Sequence, residues 1–275
     1  MKLRMSVVAG LIAEETRRMR PLETQRLCAD LYVIQDGFAN VFLVNTGDGF
    51  IAIDAGINPQ NIAREMKILG IEPSAVKAVL ITHSDIDHVY GLGAFPAAEV
   101  FLPEAELQML GKYRISMSEQ AWADACVRYA DFVPAAGENL FGEAEFWPED
   151  DCEVVETAQG KTISFLKNRI ASSYQLVRDG GRLDFSGTKV DVALIAGHTQ
   201  GLTSYIVNDK YAFVGDALSL LEGRVEPFNH FLNRDEAQHR TSISKLRDMG
   251  GFKYLLTQHY GYTAEIDQAF SNWSA

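Results

Sequence analysis

The strongest constraint on the fold is the short segment Thr82–His88, in which two histidines frame two aspartates. It directly follows the apolar, β-branched run Val76–Ile81, which predicts a buried strand. Gly91 and Gly93 then predict a turn. The segment therefore lies at the carboxyl end of a strand, where α/β folds place their sites. A solvated charge run would explain the aspartates but not the two histidines, so the pattern predicts a metal site.

Farther along the chain, three more residues of metal-ligand type each follow a short apolar run that predicts a strand. They are His198, Asp216 and His259. A single histidine after a strand is usually a structural residue. Three separate strand ends that each deliver a residue of ligand type instead indicate convergence on one site.

With these residues the sequence resembles the metallo-β-lactamase superfamily, whose signature is His-x-His-x-Asp-His, then a Gly-His-Thr-type His, a Gly-Asp-type Asp and a final His. Ile53–Gly56 is similar to the family's strand that ends in Asp-x-Gly, so the resemblance covers most of residues 30–262. Asp85 departs from the signature, because most members have a second histidine there. The matching positions are His83, Asp85, Asp87, His88, His198, Asp216 and His259.

The resemblance implies an α/β fold, an αββα sandwich of two mixed β-sheets flanked by helices. The chain's own patterns agree with it, because β-type runs between residues 31 and 54 and between 174 and 214 are each followed by a helical pattern, at Pro59–Gly70 and at Ala237–Met249. We expect a single domain, residues 1–275. A mostly helical insertion is predicted at about 104–175, because apolar residues take helical spacing after Pro103 and His88 lies far from His198.

The resemblance also implies a binuclear centre and its chemistry. Imidazole and carboxylate ligands suit zinc, iron or manganese. We expect two divalent metal ions, with zinc favoured and with iron or manganese as alternatives because Asp85 is a carboxylate. Two such ions that share a water lower its pKa enough to give a hydroxide at neutral pH. The hydroxide would attack a carbonyl or phosphoryl centre, and Asp87 would orient the hydroxide. The implied ligand sets are His83, Asp85 and His198 for one ion, Asp87, His88 and His259 for the other, and Asp216 as the bridge.

The predicted function is a binuclear metal-dependent hydrolase of a small ester, lactone, thioester or amide. One alternative is a diiron redox or oxygen/nitric-oxide-sensing protein, because the carboxylate of Asp85 is similar to the glutamate of the flavodiiron branch. A third carboxylate also brings the charge of two divalent ions and a hydroxide to zero, which favours a higher iron oxidation state. Two further alternatives are a non-catalytic binding module and an Asp85 that reaches no metal.

Composition bounds the environment and the partners. An apolar content of 47%, without a long apolar run, predicts a globular protein outside the membrane, and a net charge of −12 argues against nucleic acid. Three widely spaced cysteines, Cys28, Cys126 and Cys152, disfavour a disulfide framework and fit the cytoplasm. Residues 1–13 weakly resemble a signal peptide, with a packed helix or strand as the alternative. We expect a small-molecule substrate, and a homodimer is left open.

Overall fold

The computed structural model describes residues 5–107, 112–115, 119–131, 152–157, 160–165, 173–228 and 233–273. Its helices are α1 (Met5–Thr16), α2 (Pro59–Ile68), α3 (Ile86–Val89), α4 (Glu119–Arg128), α5 (Glu236–Met249) and α6 (Ile266–Ala269). Its strands are β1 (Gln25–Arg26), β2 (Leu31–Asp36), β3 (Ala39–Asn45), β4 (Phe50–Ile53), β5 (Val76–Leu80), β6 (Glu99–Pro103), β7 (Lys112–Ile115), β8 (Cys152–Thr157), β9 (Gly160–Phe165), β10 (Gln175–Val177), β11 (Arg182–Phe185), β12 (Thr188–Leu194), β13 (Thr203–Val207), β14 (Tyr211–Phe213), β15 (Leu218–Leu221), β16 (Arg224–Pro227), β17 (Tyr254–Leu256) and β18 (Tyr262–Thr263).

Two large mixed sheets form the body of the molecule. The first has the order β1-β2-β3-β4-β5-β6-β10. Its pairs are antiparallel up to β4 and parallel from β4 to β10. The second has the order β11-β12-β13-β14-β17-β18, in which β14 and β17 run parallel and the other neighbours antiparallel. Parallel pairs place several strand ends at the same edge of a sheet, and that edge carries the site described below.

The inner faces of the two sheets pack against each other. Phe42 of the first sheet and Phe213 of the second are both fully buried, with ring centroids 5.3 Å apart. Successive residues of a strand point to opposite faces, so the neighbours of Phe42, Val41 and Leu43, belong to a different cluster on the outer face. Strand β3 is buried on both faces at its centre, which explains why residues 41–44 are continuously apolar rather than alternating.

Helices cover both outer faces of the sandwich. Ile62 and Met66 of α2 are fully buried against the outer face of the first sheet. Ile243 and Leu246 of α5 are buried in the corresponding cluster on the second sheet. The order helix, sheet, sheet, helix confirms the predicted αββα sandwich.

Local sequence signals explain where these two helices begin. The side-chain oxygen of Asn58 accepts hydrogen bonds from the backbone N–H groups of Gln60 and Asn61, both at 3.0 Å, and proline occupies the first helical position of α2. The carboxylate of Asp235 caps α5 in the same way, accepting from Gln238 N at 2.9 Å. Both predicted helices are confirmed to within two residues at each end.

The predicted insertion at about 104–175 differs in its secondary structure. Its described residues contain α4, but also a three-stranded antiparallel sheet of order β7-β9-β8. Helical spacing holds over α4, whereas Val154 and Ile163 stand opposite each other across a β8–β9 hairpin, and β-branched residues favour that arrangement. The segment is therefore not mostly helical in the described part of the chain. That residues 1–275 form one domain stays a prediction.

The amino-terminal segment forms a packed helix. Val7, Leu11 and Ala13 of α1 are buried, and the Glu14 side chain accepts a hydrogen bond from the hydroxyl of Tyr129, which follows α4. The helical part of this segment is Met5–Thr16. In the described ranges, no helix combines the length and the apolar character that crossing a bilayer requires.

Candidate metal centre

Four loops that follow strands meet at one edge of the sandwich. The segment after β5 carries His83, Asp85, Asp87 and His88, and the segments after β12, β14 and β17 carry His198, Asp216 and His259. All seven predicted ligand residues come together there. They form three overlapping groups in which the ligand atoms lie within 4.8 Å of one another, namely His83 with His88 and Asp216, His83 with Asp85 and His198, and Asp87 with His88 and His259.

The carboxylate of Asp216 lies between two sets of imidazoles and turns one oxygen toward each. Its Oδ2 lies 3.7 Å from His83 Nε2 and 3.6 Å from His198 Nε2. Its Oδ1 lies 3.5 Å from His88 Nε2 and 3.2 Å from His259 Nε2. The site therefore divides into two halves that share one carboxylate.

Each half also receives an aspartate of its own. Asp85 Oδ2 lies 3.6 Å from His83 Nε2 and 3.2 Å from His198 Nε2. Asp87 Oδ2 lies 3.7 Å from His88 Nε2 and 3.4 Å from His259 Nε2. Asp85 thus lies beside the other ligand-type atoms of its half, and its binding to a metal stays a prediction.

These spacings fit a divalent ion. Four ligand atoms placed tetrahedrally about 2.0–2.1 Å from zinc lie roughly 3.3–3.4 Å from one another, and the distances within each half scatter around that figure. The donor atoms also lack other partners, because His83 Nε2, His88 Nε2, His259 Nε2 and Asp216 Oδ1 are buried without a hydrogen bond. Buried polar atoms without partners are rare in proteins, and metal ions bound in the two halves would account for all four.

The histidine rings are held from behind through Nδ1. His88 Nδ1 donates to Asp54 Oδ2 at 2.9 Å, His198 Nδ1 to Asn233 Oδ1 at 3.0 Å and His259 Nδ1 to the Phe38 carbonyl at 2.8 Å. With the proton on Nδ1, a neutral imidazole turns the lone pair of Nε2 toward the centre. Metal-binding histidines are oriented in this way.

The fourth ring, His83, takes part in a chain of hydrogen bonds with Thr82. Its Nδ1 lies 3.0 Å from Thr82 Oγ1, and that hydroxyl donates to Asp54 Oδ2 at 2.8 Å. Asp54 thus supports His83 through Thr82 and His88 directly. It does so from a left-handed backbone conformation, with φ of 60°, that is rare outside glycine and typical of functional positions.

A glycine allows the His198 loop to approach α5. Gly197 has φ of 144°, and a Cβ atom there would lie 2.3 Å from the Cα of His239. His239 itself is fully buried and its Nε2 contacts the Ala217 carbonyl. His239 is buried because its face of α5 packs against the turn that carries Asp216.

Opposite charges govern the ionisation of the ligand side chains. Burial lowers the pKa of His88, but the charges of Asp216 and Asp54 outweigh it and raise that pKa well above its usual value. Burial likewise lowers the pKa of His259, and Asp216 raises it overall. In return, His259 and His88 hold the pKa of Asp216 well below its usual range, against the effect of burial. The centre thus attracts cations, either protons or metal ions.

A small cavity of about 30 Å³ adjoins the ligands. Its walls include α1 and the aromatic rings of Phe38 and Phe228, and Phe228 stacks on His259 with ring centroids 5.4 Å apart. In the described residues the roof is α1 and the segment after it, whose lining side chains are Ile12, Glu15, Thr16 and Met19. His230, Phe231 and most of the insertion aromatics lie outside the described residues.

Sequence reasoning did not identify the residues that hold the ligands in place. Asp54 carried a signal, because it belongs to the segment that resembles the family's Asp-x-Gly strand end. Asn233 lies in a segment with no recognisable pattern, and Glu106 resembled any exposed glutamate, although it is fully buried. Only their contacts show what they do.

Comparisons with known proteins agree with this geometry. The sequence model of the metallo-beta-lactamase superfamily matches residues 34–106. A probable metallo-hydrolase of Mycobacterium tuberculosis and one of Mycobacterium bovis are each 29% identical over a stretch that covers 24% of this chain and 29% of the relative. The match thus spans less than a third of the length of these curated relatives.

Solved structures are similar over a much larger share of the chain. An archaeal metallo-beta-lactamase superfamily protein from Sulfolobus tokodaii has a TM-score of 0.57 at 18% identity, covering 89% of this chain and 85% of its own. A B3 metallo-beta-lactamase described as the first with an active-site glutamic acid has a TM-score of 0.58 at 16% identity, covering 96% and 90%. At these identities the likeness concerns the fold.

Proposed function

We propose, from the match of residues 34–106 to the metallo-β-lactamase superfamily and from the shared fold, that the chain is a binuclear metal-dependent hydrolase of a small ester, lactone, thioester or amide. The position of Asp216 carries the proposal. One carboxylate whose two oxygens face two separate sets of ligand atoms, at 3.2–3.7 Å from the imidazole nitrogens, is the arrangement that two adjacent ions require.

Two divalent cations bound there would supply Lewis acidity, lowering the pKa of a water and polarising the carbonyl under attack. The chain's own residues would orient the reactants. Asp87 is the most exposed of the ligand aspartates, with 13% of its side chain accessible, and it lines the cavity. It is therefore placed to accept a proton from the attacking water. Phe38 and Phe228 exclude bulk solvent on the side of His259.

The cavity supports a small substrate. About 30 Å³ holds one or two water molecules, so the described residues leave little room beside the ligands. Ile12, Met19 and Phe228 make the wall largely apolar, and Glu15 makes an anionic group unfavourable next to the centre. We propose a compact, uncharged acyl group as the part of the substrate that reaches it, and a small molecule rather than a macromolecule as the partner.

The test is hydrolysis by the metal-loaded chain across a panel of esters, lactones, thioesters, β-lactams and amides. Asp216→Asn should lower kcat/KM at least 100-fold, because it removes a shared ligand charge. Asp267→Asn, an exposed aspartate of α6 outside the ligand set, is the matched control and should keep wild-type activity. Absence of turnover on the whole panel by protein that holds two metal ions would count against the proposal.

Asp85 supports a second candidate, a diiron redox or gas-sensing protein. Its carboxylate lies within the ligand set, and the B3 relative in the comparison is described as having an active-site glutamic acid while remaining a β-lactamase. An additional carboxylate in the active site is thus compatible with either candidate function. Expression in medium that contains both zinc and iron, followed by elemental analysis, distinguishes the two candidate functions. Protein that holds zinc without iron would contradict the diiron candidate. Protein that holds iron and shows the absorption band of an oxo bridge would support it.

A further inference from the structure

Glu106 is a fully buried carboxylate that the proposed chemistry does not use. It ends the short 3-10 turn Glu104–Glu106 after β6, and none of its surface is exposed. Glutamate is almost never fully buried without a partner. In the part of the chain that the structure describes, no lysine or arginine pairs with it. Its contacts must therefore account for its burial.

Glu106 accepts three hydrogen bonds from two distant segments. Oε2 accepts from Ser84 N at 2.9 Å and from Ser84 Oγ at 2.5 Å, and Oε1 accepts from Gly201 N at 2.7 Å. All three partners donate to Glu106, so its two oxygens act only as acceptors in these contacts. Hydrogen bonds to a charged acceptor are roughly twice as strong as neutral ones.

The two segments carry the ligands of one half of the centre. Ser84 lies between His83 and Asp85, and Gly201 lies in the loop that follows His198. His83, Asp85 and His198 form one of the three ligand groups. The other half relies on Asp87, His88 and His259, none of which contacts Glu106 through a hydrogen bond in the described structure.

The loop geometry is built around this contact. A Cβ atom at Gly201 would lie 2.7 Å from the Cγ and Oε1 atoms of Glu106, so a glycine is needed for the approach. The backbone bond from Thr203 N to the Thr82 carbonyl, 3.0 Å, already joins the same two segments where they leave their strands. Glu106 adds a second link between these two segments, from Ser84 to Gly201, close to the ligand residues.

We propose that Glu106 is a positioning residue that holds His83, Asp85 and His198 together for one metal ion, and that its loss weakens that half of the centre selectively. The inference rests on the proposed binuclear centre. In Glu106→Gln the amide must turn an N–H group toward at least one of the three donors. Loss of a residue that orients metal ligands typically weakens metal binding about 10–100-fold.

The experiment measures Zn²⁺ binding to the chain of residues 1–275 after its metal has been removed with a chelator. Two backgrounds isolate the halves: His259→Ala retains the half that Glu106 contacts, and His198→Ala retains the other. Adding Glu106→Gln should weaken Zn²⁺ binding about 10–100-fold in the His259→Ala background and less than threefold in the His198→Ala background. Co²⁺ absorption spectra of the same proteins report the ligand geometry independently of activity.

Controls separate this inference from the proposed function. Glu104→Gln, an exposed neighbour that pairs with Arg178, should leave both backgrounds unchanged. Should Glu106→Gln fail to fold by circular dichroism, Ser84→Ala removes one of the three donors and should cause a smaller loss with the same selectivity. Equal losses in both backgrounds, or no loss in either, would overturn the inference. Wild-type protein that binds no Zn²⁺ would instead refute the binuclear centre itself.

Discussion

At the scale of single residues, we expect the charges beside the ligand histidines to set the pH at which the centre binds metal. Acidic neighbours raise the pKa of His88 and of His259, despite burial, so both rings keep a proton to higher pH than a free histidine. Metal binding must displace such protons. Because a raised pKa means more protonated ring at a given pH, metal affinity should fall as the pH is lowered, and binding should release protons.

Titration calorimetry with Zn²⁺ between pH 6 and pH 8, in buffers of different ionisation enthalpy, measures that release. We expect affinity to rise roughly tenfold per pH unit for each proton displaced. Asp54→Asn removes one of the charges that raise the pKa of His88, so this variant should release fewer protons near neutral pH. A pH-independent affinity would contradict the charge balance described for the ligands.

At the scale of elements, one tyrosine joins the two sheets next to the ligand segment. Tyr205 of β13 is fully buried, and its hydroxyl donates to the Ile81 carbonyl at 2.8 Å. Tyr205→Phe leaves that carbonyl without its side-chain partner, and should lower the free energy of unfolding by about 1–3 kcal/mol.

Urea denaturation of the metal-free protein measures the loss. Tyr254→Phe is the matched control, because Tyr254 packs on Tyr211 without a hydrogen bond from its hydroxyl in the described structure, and it should change stability by no more than about 0.5 kcal/mol. Equal stability of Tyr205→Phe and wild type would mean that the hydroxyl does not connect the sheets.

Helix α1 and the residues after it line the cavity beside the ligands, so we expect them to limit the size of the substrate. Met19 is buried and lines the cavity beside the ligands. Met19→Ala should enlarge the cavity and shift kcat/KM toward bulkier acyl groups by roughly tenfold relative to the smallest accepted one. Met249→Ala, an exposed methionine on α5, should leave the ratio unchanged. If Met19→Ala leaves the ratio of kcat/KM for bulky and small acyl groups unchanged, the acyl group does not bind beside Met19.

At the scale of the whole molecule, the metal centre joins loops from both sheets and should add to global stability. An ion that binds only the folded state contributes about 2.7 kcal/mol at 100 times its dissociation constant. For a chain of this size that corresponds to a shift in Tm of roughly 5 °C or more. Adding a chelator should therefore lower the Tm, measured by circular dichroism.

The control for this shift is a protein that cannot hold the ions. The double variant His198→Ala and His259→Ala should melt at the same temperature with and without chelator, since it lacks a ligand in each half. A wild-type Tm that does not respond to chelator would show that the ions do not bind the folded state preferentially.

The sequence by itself determined the type of the site and its place in the fold. His83, Asp87, Asp216 and their companions are recognisable because each follows an apolar strand, and strand periodicity is a local property of the chain. The caps of α2 and α5 are local for the same reason, which is why the boundaries of both helices were predicted closely. The local pattern failed in the insertion, where helical spacing over α4 was extended to residues that pair as strands.

The tertiary structure alone decided how the site is held and covered. Asp216 turns its two oxygens to different halves because two sheets converge there, and no spacing along the chain encodes that angle. Glu106 and Asn233 hold ligands that lie far away in the sequence, and α1 roofs the centre from the other end of the chain. A buried polar group is stable only with its partners, and packing across the sandwich, not neighbouring sequence, selects those partners.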